Sequence, residues 1–206
     1  MCGRFTLIDP DRLERFYGKR FRFEEFSEYR LPRFNIAPTQ GVAGVRNDGR
    51  DTVESLIWGI RGRINARAET VASASPRNRC IVFADGFYEW RNKRPTYFTL
   101  ETDEPFAFAG LWAASRQGAE CTIVTCEPND LARPIHDRMP VILPQDALEV
   151  WLSQEYLAED VVRSILRPYP GVSMKGRPVS RRLNSARYDA PDVLVDDDPV
   201  QERLGL

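Results

Sequence analysis

Short apolar segments separated by turn-forming residues fill the middle of the chain. Apolar, β-branched and aromatic residues predict strands over residues 79–83, 86–91, 96–100, 106–112, 120–125 and 139–143. Strands that follow one another this closely, with few helices between them, are typical of antiparallel sheets and barrels. We therefore predict an α+β fold with a curved, barrel-like, mainly antiparallel β core and flanking helices.

Helix signals lie on both sides of these strands. Asp9, followed by proline, starts a short helix that Gly18 ends. Asn65 is expected to cap a second helix that runs to Val71. Two further helices are predicted at residues 145–153 and 158–166.

A hairpin is predicted ahead of the central strands. Residues 42–46 and 52–57 are strand-like and flank Asn-Asp-Gly-Arg at 47–50, a favourable turn sequence. Residues 19–40 are predicted to be irregular and residues 172–180 to be extended. No alternation of single strands and helices and no phosphate-binding loop is present, so a doubly wound α/β fold is not expected.

The composition is that of an ordinary globular protein. The chain has 206 residues, of which 42% are hydrophobic and 29% charged, and this length fits one domain with a sizeable core. The longest nearly apolar run, residues 106–114, is far shorter than the roughly 20 residues of a membrane span. Residues 1–4 do not begin a secretory signal or a myristoylation motif, so a cytoplasmic protein is expected.

The total charge does not identify a nucleic-acid-binding protein. The formal net charge is −1, but residues 191–206 carry five acids and one base, which leaves a net charge of +3 on the rest of the chain. Only three of the 29 basic residues are lysines, and the guanidinium of arginine suits phosphate. A mixed solvated surface, a GC-rich genome or salt adaptation would give the same figures.

The cysteines offer a thiol but a poor metal site. Without an export signal, Cys2, Cys80, Cys121 and Cys126 are expected to be reduced. The spacing of Cys121 and Cys126, with the lone His136, does not suit zinc, because paired ligands are usually closer. We predict no metal or cofactor, and we predict that the three internal cysteines are buried thiols.

Cys2 is the most informative residue of the sequence. Removal of Met1 is expected because the next residue is small, and it would leave an amine and a thiol on neighbouring carbons. The amine can condense with an aldehyde to an imine, and the thiol can then close a thiazolidine ring. An α-amine with a pKa of about 7.7–8.0 is neutral a few hundred times more often at pH 7 than a lysine amine. Taken alone, an accidental cysteine at this position remains an equal alternative.

Two other residues are candidates for acid–base chemistry. Glu89 lies between aromatic residues at a predicted strand end, where loss of solvation would raise its pKa and suit it to proton transfer. A carboxylate paired with an arginine is the alternative. His136 is the single histidine and the one imidazole that could titrate near neutral pH, although a lone histidine often has no special role.

Taken in order, eight segments resemble one family. They are Met-Cys-Gly-Arg-Phe at 1–5, Asn-Ile-Ala-Pro-Thr-Gln at 35–40, Trp-Gly at 58–59, Asn-Ala-Arg-Ala-Glu-Thr at 65–70, Ala-Asp-Gly-Phe-Tyr-Glu-Trp at 84–90, Ala-Gly-Leu-Trp at 109–112, Ile-His-Asp-Arg-Met-Pro-Val-Ile-Leu at 135–143 and Val-Ser-x-x-Leu-Asn at 179–184. The sequence is similar to the SRAP family, named as SOS response-associated peptidases and understood as proteins that crosslink to abasic sites in DNA.

The resemblance implies one SRAP-like domain over residues 1–195, followed by an acidic tail at 196–206. It implies a monomer that acts in the DNA damage response on abasic sites in single-stranded DNA, and that associates with the nucleoid when bound. Cys2 would be the nucleophile, Asn65 would position the terminus, Glu89 would shuttle protons, and His136 would help to open the deoxyribose ring and act in release. The implied phosphate contacts are Arg4, Arg67, Arg77 and Arg138, and the implied lining of the DNA path is Pro38, Trp58 and Thr125.

The sequence also departs from the family pattern. Only residues 60–64 separate Trp58-Gly59 from Asn65, where related proteins carry a longer Trp-Gly-Leu-Ile-Pro-x-Trp stretch. One loop that contacts DNA is therefore expected to be shortened. Phe83 also stands where proline is common.

Three other functions stay open at the level of sequence. Cys2, His136 and Glu89 have the residue types of a thiol peptidase. A glutamine amidohydrolase also begins Met-Cys-Gly, although its downstream motifs are missing here. The third alternative is a module that binds DNA ends without covalent chemistry. A minor lyase activity would accompany the crosslinking function if the imine lingered.

Overall fold

The fold is built around a ring of five strands, seen in a computed structural model that describes residues 2–23 and 30–196. The strands are β1 Arg4–Leu7, β2 Arg33–Ile36, β3 Gly41–Arg46, β4 Glu54–Trp58, β5 Asn65–Arg67, β6 Arg79–Ala84, β7 Gly86–Arg91, β8 Arg94–Leu100, β9 Phe106–Ser115, β10 Gly118–Cys126, β11 Met139–Pro140, β12 Ile142–Leu143 and β13 Met174–Pro178. The α-helices are α1 Pro10–Tyr17, α2 Ala68–Ala74, α3 Ala147–Leu152 and α4 Glu159–Ile165. Short 3₁₀ turns cover Gly171–Ser173, Arg181–Asn184 and Pro191–Leu194.

The ring runs β10–β4–β3–β6–β9 and closes through the pairing of β9 with β10. Its neighbours are antiparallel except for β4 and β10, which are parallel. β5 also lies parallel to β10, while β11 and β12 extend the sheet as antiparallel partners of β10 and β9. The predicted α+β fold with a barrel-like, mainly antiparallel core is therefore confirmed.

A second sheet covers one side of the barrel and carries the N-terminus. Its order is β13–β8–β7–β1–β2, and every pair in it is antiparallel. β1 pairs with β7 in a register that sets Arg4 opposite Tyr88. Continuing this register by one residue places Gly3 opposite Glu89, so the start of the chain lies beside that carboxylate.

Aromatic residues join the two sheets into one core. The ring of Phe5 on β1 lies 5.1 Å from Trp58 of the barrel and 5.7 Å from Phe108, measured between ring centroids. Phe87 on β7 lies 6.2 Å from Phe108 as well. Each fully buried aromatic side chain of this kind contributes about 2–3 kcal/mol of apolar transfer energy, so the core holds β1 firmly against the barrel.

Most of the predicted elements are present. The helix after Asp9 forms α1, and the Asp9 side chain caps it by accepting a hydrogen bond of 2.7 Å from the Arg12 amide. β3 and β4 form the predicted hairpin. The five central strand predictions match β6 to β10, and the two later helix predictions match α3 and α4.

Several local predictions were wrong. Asn65 does not cap a helix, because it lies on β5, and α2 starts after Arg67 without a side-chain cap. Residues 19–40 are not irregular throughout, since β2 pairs with the unpredicted strand β1. Glu89 lies within β7 rather than at a strand end. Apart from Asp196, the acidic tail at 196–206 lies outside the described residues.

Candidate active site and nucleic-acid interface

Cys2 lies two residues before β1 and is completely buried. Its backbone carbonyl accepts a hydrogen bond of 2.9 Å from Nδ2 of Asn65. Burial raises the pKa of the Cys2 thiol well above its usual range, and the negative charge of Glu89 raises it further. The thiol and this carboxylate therefore share one site, in which the thiol stays protonated at neutral pH.

Asn65 reaches the N-terminus because β5 runs parallel to β10, with Asn65 opposite Ile123. Its Nδ2 is committed to Cys2, whereas its Oδ1 is buried and has no hydrogen-bond partner among the described residues. An acceptor without a partner is costly in a protein interior. The Asn65 side chain thus offers an acceptor at the N-terminus for a donor that the described residues do not supply.

Glu89 is buried in β7 with 1% of its surface exposed. Burial penalises the charged carboxylate and raises the pKa of Glu89 to about 7. Both protonation states are therefore populated near neutral pH, which suits a group that accepts and returns protons. The predicted rise in its pKa is confirmed.

His136 lies next to Glu89, with its Nε2 atom 3.9 Å from Oε2 of the carboxylate. Its Nδ1 accepts a hydrogen bond of 3.0 Å from the Arg138 backbone amide. A carboxylate oxygen of Asp137 also lies 2.9 Å from Nδ1. Because the Arg138 backbone amide can only donate, Nδ1 must accept and carries a lone pair. The ring proton is therefore assigned to Nε2, on the side of Glu89. Burial lowers the pKa of His136, which favours this neutral form.

The four arginines expected to contact phosphate differ in their surroundings. Arg67 and Arg77 are exposed. Arg4 is half-buried and donates to the Gly3 carbonyl at 2.8 Å. Arg138 is held by both carboxylate oxygens of Glu69, at 2.7 and 3.1 Å, and by the carbonyl of Thr125. The hydrogen bonds from Arg138 lower the pKa of Glu69.

The three residues expected to line the DNA path are less accessible. Trp58 has no exposed surface, and its indole Nε1 donates to the Ile64 carbonyl at 2.9 Å. Thr125 is 1% exposed, and its hydroxyl lies 3.4 Å from the carbonyl of Ala66. Pro38 is half-buried beside Thr39, whose amide donates to the Trp58 carbonyl. Trp58 and Thr125 thus lie beneath the surface and are not exposed to solvent.

Sequence reasoning missed two carboxylates that hold this site in place. Asp85 accepts hydrogen bonds from the Thr6 hydroxyl and from the amides of Ile8 and Asp9, and so fixes the C-terminal end of β1 beside the start of β7. Burial raises the pKa of Asp85. The position of Asp85 in the 84–90 motif could have marked it as a site residue, but only Glu89 of that motif was predicted. Glu69 was missed because its pairing with Arg138 spans 69 residues of chain.

The described residues contain no group of three or more His, Cys, Asp or Glu side chains that could hold a metal ion. Cys2, Cys80, Cys121 and Cys126 are all free and buried, as predicted for the three internal ones. No helix of the described segments is long and apolar enough to cross a membrane.

Together, the fold and the site define a class of α+β barrel proteins with a buried cysteine near the N-terminus, facing a carboxyl group of raised pKa. The family model described as SOS response associated peptidase (SRAP) matches residues 1–186. The chain therefore belongs to the SRAP family, as the sequence motifs indicated.

Individual relatives agree with this assignment. The chain is 35% identical to the abasic site processing protein YoaM of Bacillus subtilis, over 94% of this chain and 97% of the relative. It is 26% identical to the abasic site processing protein YedK of Escherichia coli, over 94% and 99% of the two chains. A solved structure of a protein from Bacteroides thetaiotaomicron shares the fold with a TM-score of 0.81 at 21% identity, covering 95% of this chain and 99% of that one.

Proposed function

We propose that this protein captures abasic sites in single-stranded DNA by forming a thiazolidine between C1′ of the deoxyribose and Cys2, once Met1 has been removed. The observation that carries the proposal is that Cys2 and Glu89 are both buried where β1 pairs with β7, with Asn65 bonded to the Cys2 carbonyl. The names of the relatives, which process abasic sites, support the same substrate.

The chemistry needs only the ring-opened sugar and the terminus. The Cys2 amine attacks the C1′ aldehyde and loses one water to give an imine. The thiol then adds across the C=N bond, so that sulfur bonds to C1′ and the thiol hydrogen ends on nitrogen. The overall reaction releases one water and requires no oxidant, metal or cofactor.

Glu89 and His136 would move the protons that these steps require. The buried Cys2 thiol is protonated, so ring closure requires a base at the thiol, and a carboxylate with a pKa of about 7 can serve and then return the proton. His136, neutral with its proton on Nε2 toward Glu89, can donate to the sugar oxygen as the ring opens. In the reverse direction the same pair would release the DNA.

Asn65 would hold the nucleophile in its reactive orientation. Nδ2 already anchors the Cys2 carbonyl, and the unsatisfied Oδ1 is placed to accept a hydrogen bond from the amine of the mature terminus. Such a bond would direct the nitrogen lone pair away from Asn65 and toward the incoming aldehyde. A single fixed orientation raises the effective concentration of the amine.

The strand would be held by a local group of arginines rather than by total charge. Arg67 and Arg77 are exposed, and Arg4 lies beside the terminus. Arg138 is already oriented by Glu69 and Thr125, so it would lose little side-chain entropy when it binds phosphate. Pro38, Trp58 and Thr125 would support the surface over which the strand passes.

A thiol peptidase is less consistent with the electrostatics of the site. A cysteine protease needs a thiolate, which a nearby imidazolium stabilises by lowering the thiol pKa. Here burial and Glu89 raise the pKa of Cys2, and His136 is neutral and lies beside Glu89. These properties suit a nucleophilic amine assisted by a thiol better than a nucleophilic thiolate.

The test is a gel assay with an oligonucleotide that carries one abasic site. The wild-type protein is expected to give a covalent species that survives heating. Cys2→Ala should abolish that species and leave at most an imine that borohydride can trap. Cys126→Ala, which removes another buried thiol, is the matched control and should crosslink as the wild type does.

A blocking group on the N-terminus provides the second arm of this test. A protein that keeps Met1 or carries an N-terminal tag should form neither the imine nor the thiazolidine. Heat-stable crosslinking by the tagged protein at the wild-type rate would overturn the proposal. A hydrolysed peptide bond in place of a DNA adduct would favour the peptidase instead.

A further inference from the structure

The turn that joins β4 to β5 forms one wall of a cleft outside the site described above. The cleft has a volume of about 680 Å³ and is lined by Ile60, Arg61, Arg63, Ala113, Ala114, Ser115, Arg116 and Glu120. Its opposite wall is the hairpin at which β9 turns into β10, where Ser115 pairs with Gly118. Three of its eight lining residues are therefore arginines.

The arginines of this cleft are exposed and available. Within the described part of the chain, the side chains of Arg61, Arg63 and Arg116 make no hydrogen bond or ion pair. Other arginines behave differently: Arg46 is bonded to Glu54, and Arg138 to Glu69. Three guanidinium groups beside one another repel unless an anion lies between them, so this arrangement favours an anionic ligand.

The short turn has a fixed geometry. Arg61 and Gly62 both have positive φ angles, of 48° and 79°, and the Arg63 amide donates to the Ile60 carbonyl at 2.9 Å. This is the arrangement of a tight hairpin turn. The one acid in the cleft, Glu120, accepts a hydrogen bond of 3.1 Å from the Arg61 amide, so its carboxylate holds the turn. The cleft keeps a net positive charge.

The cleft is also close to the N-terminal site. Arg63 lies two residues before Asn65, whose side chain holds the Cys2 carbonyl, so at most about 7 Å of backbone separates them. Glu120 and Ile123, which pair with Ile57 and Asn65, are three residues apart on β10, or about 10 Å. If the abasic sugar of a DNA strand lies at Cys2, a phosphate on one side of that sugar would reach the cleft.

We infer that Arg61, Arg63 and Arg116 form a second phosphate-binding site that holds the DNA backbone on one side of the abasic nucleotide. The ligand is the phosphodiester backbone, because the lining offers guanidinium groups and small side chains but no aromatic surface for a base. This inference rests on the proposed function for its choice of ligand.

The first experiment measures binding of undamaged single-stranded DNA, so that it does not depend on crosslinking. Fluorescence anisotropy of a labelled oligonucleotide would be recorded between about 50 and 200 mM salt. Each lost phosphate contact should flatten the log–log salt dependence by about 0.7. The double variant Arg61→Gly/Arg116→Ala should therefore flatten it by about 1.4, and glycine tolerates the positive φ at 61.

Arg15→Ala is the matched control, because it removes one charge from an exposed position on α1 with only a distant contact to Asp9 at 3.7 Å. It should leave the salt dependence unchanged. Thermal melting should show that all variants are folded, since the side chains of the cleft arginines make no hydrogen bond or ion pair within the described chain. A double variant with the same salt dependence as Arg15→Ala would overturn the inference.

A second experiment trims the oligonucleotide from its 5′ or its 3′ end. For the wild type, trimming one flank should weaken binding more than trimming the other, and the double variant should lose that difference. If trimming either end weakens binding equally, in both the wild type and the double variant, the inference would be overturned. Competition by inorganic phosphate that depends on the arginines, without any change in DNA binding, would identify a site for free anions instead and would also overturn it.

The two proposals fail in different ways. If Cys2 does not crosslink but the arginines still govern the salt dependence, the proposed chemistry is wrong and the phosphate site stands. If crosslinking occurs and the cleft variants bind DNA as the wild type does, the proposed function stands and the phosphate site is wrong.

Discussion

Replacing Glu89 by glutamine should stabilise the protein above neutral pH, although it removes the proposed proton shuttle. The Glu89 carboxyl group is 1% exposed, and its pKa rises from 4.5 to about 7 in the folded protein. Between these two values the folded state holds more protons than the unfolded state. Stability therefore falls as pH rises from about 4.5 to about 7 and stays low above that range.

The size of the effect follows from the same pKa values. The difference between 4.5 and about 7 corresponds to about 3 kcal/mol, because one pKa unit is equivalent to 1.36 kcal/mol. Glutamine has nearly the shape of a protonated glutamate and does not titrate. Glu89→Gln should thus lie within about 1 kcal/mol of the wild type at pH 5 and exceed its free energy of unfolding by about 2–3 kcal/mol at pH 8.

Urea unfolding at pH 5 and pH 8 measures this difference directly. The titration of Asp85 is common to both proteins and cancels in the comparison. Glu127→Gln, at an exposed position, keeps Glu89 and is the control: its free energy of unfolding should fall between the two pH values as much as that of the wild type does. If Glu89→Gln differs from the wild type by the same amount at both pH values, Glu89 does not have a raised pKa, and the proton shuttle loses its basis.

Four further outcomes follow from the site. Asn65→Ala removes the hydrogen bond to Cys2 and should slow crosslinking about fivefold, for a loss of about 1 kcal/mol; an unchanged rate would mean that Asn65 does not position the terminus. His136→Ala should slow release of the crosslinked DNA more than Glu89→Gln does, whereas Glu89→Gln should slow formation of the crosslink more. Time courses of crosslink formation and of transfer to competitor abasic DNA measure both, and identical profiles for the two variants would contradict separate roles. Annealing the complementary strand should slow crosslinking strongly, because unstacking costs a few kcal/mol; equal rates on single and double strands would contradict the preference for single strands. Arg138→Ala should flatten the salt dependence of DNA binding by about 0.7; an unchanged salt dependence would mean that Arg138 does not contact phosphate.

Much of the barrel was readable from local patterns. The strands from β6 to β10 follow one another closely and are rich in apolar residues, so periodicity and turn residues suffice to find them. α1 carries its own start and stop signals at Asp9 and Gly18. What local patterns could not supply was pairing between distant segments, and the N-terminal strand β1 is a strand mainly because β7 and β2 lie beside it.

The site illustrates the same limit. Asn65 resembles a helix cap in its local context, yet parallel pairing with β10 places it on a strand beside Cys2. The burial of Glu89 among aromatic residues was predictable, because its sequence neighbours are apolar. The hydrogen bonds that Asp85 accepts from Thr6 and Ile8 join positions more than 70 residues apart, so its place in the 84–90 motif could mark Asp85 but not identify these partners.

The most direct test of the central claim is the intact mass of the covalent product, followed by mapping of the attached residue. The account predicts the mass of the protein without Met1 plus the abasic oligonucleotide, less one water, with the sugar attached at Cys2 and no reducing agent needed. An adduct on a lysine, or an adduct on a chain that retains Met1, would contradict it.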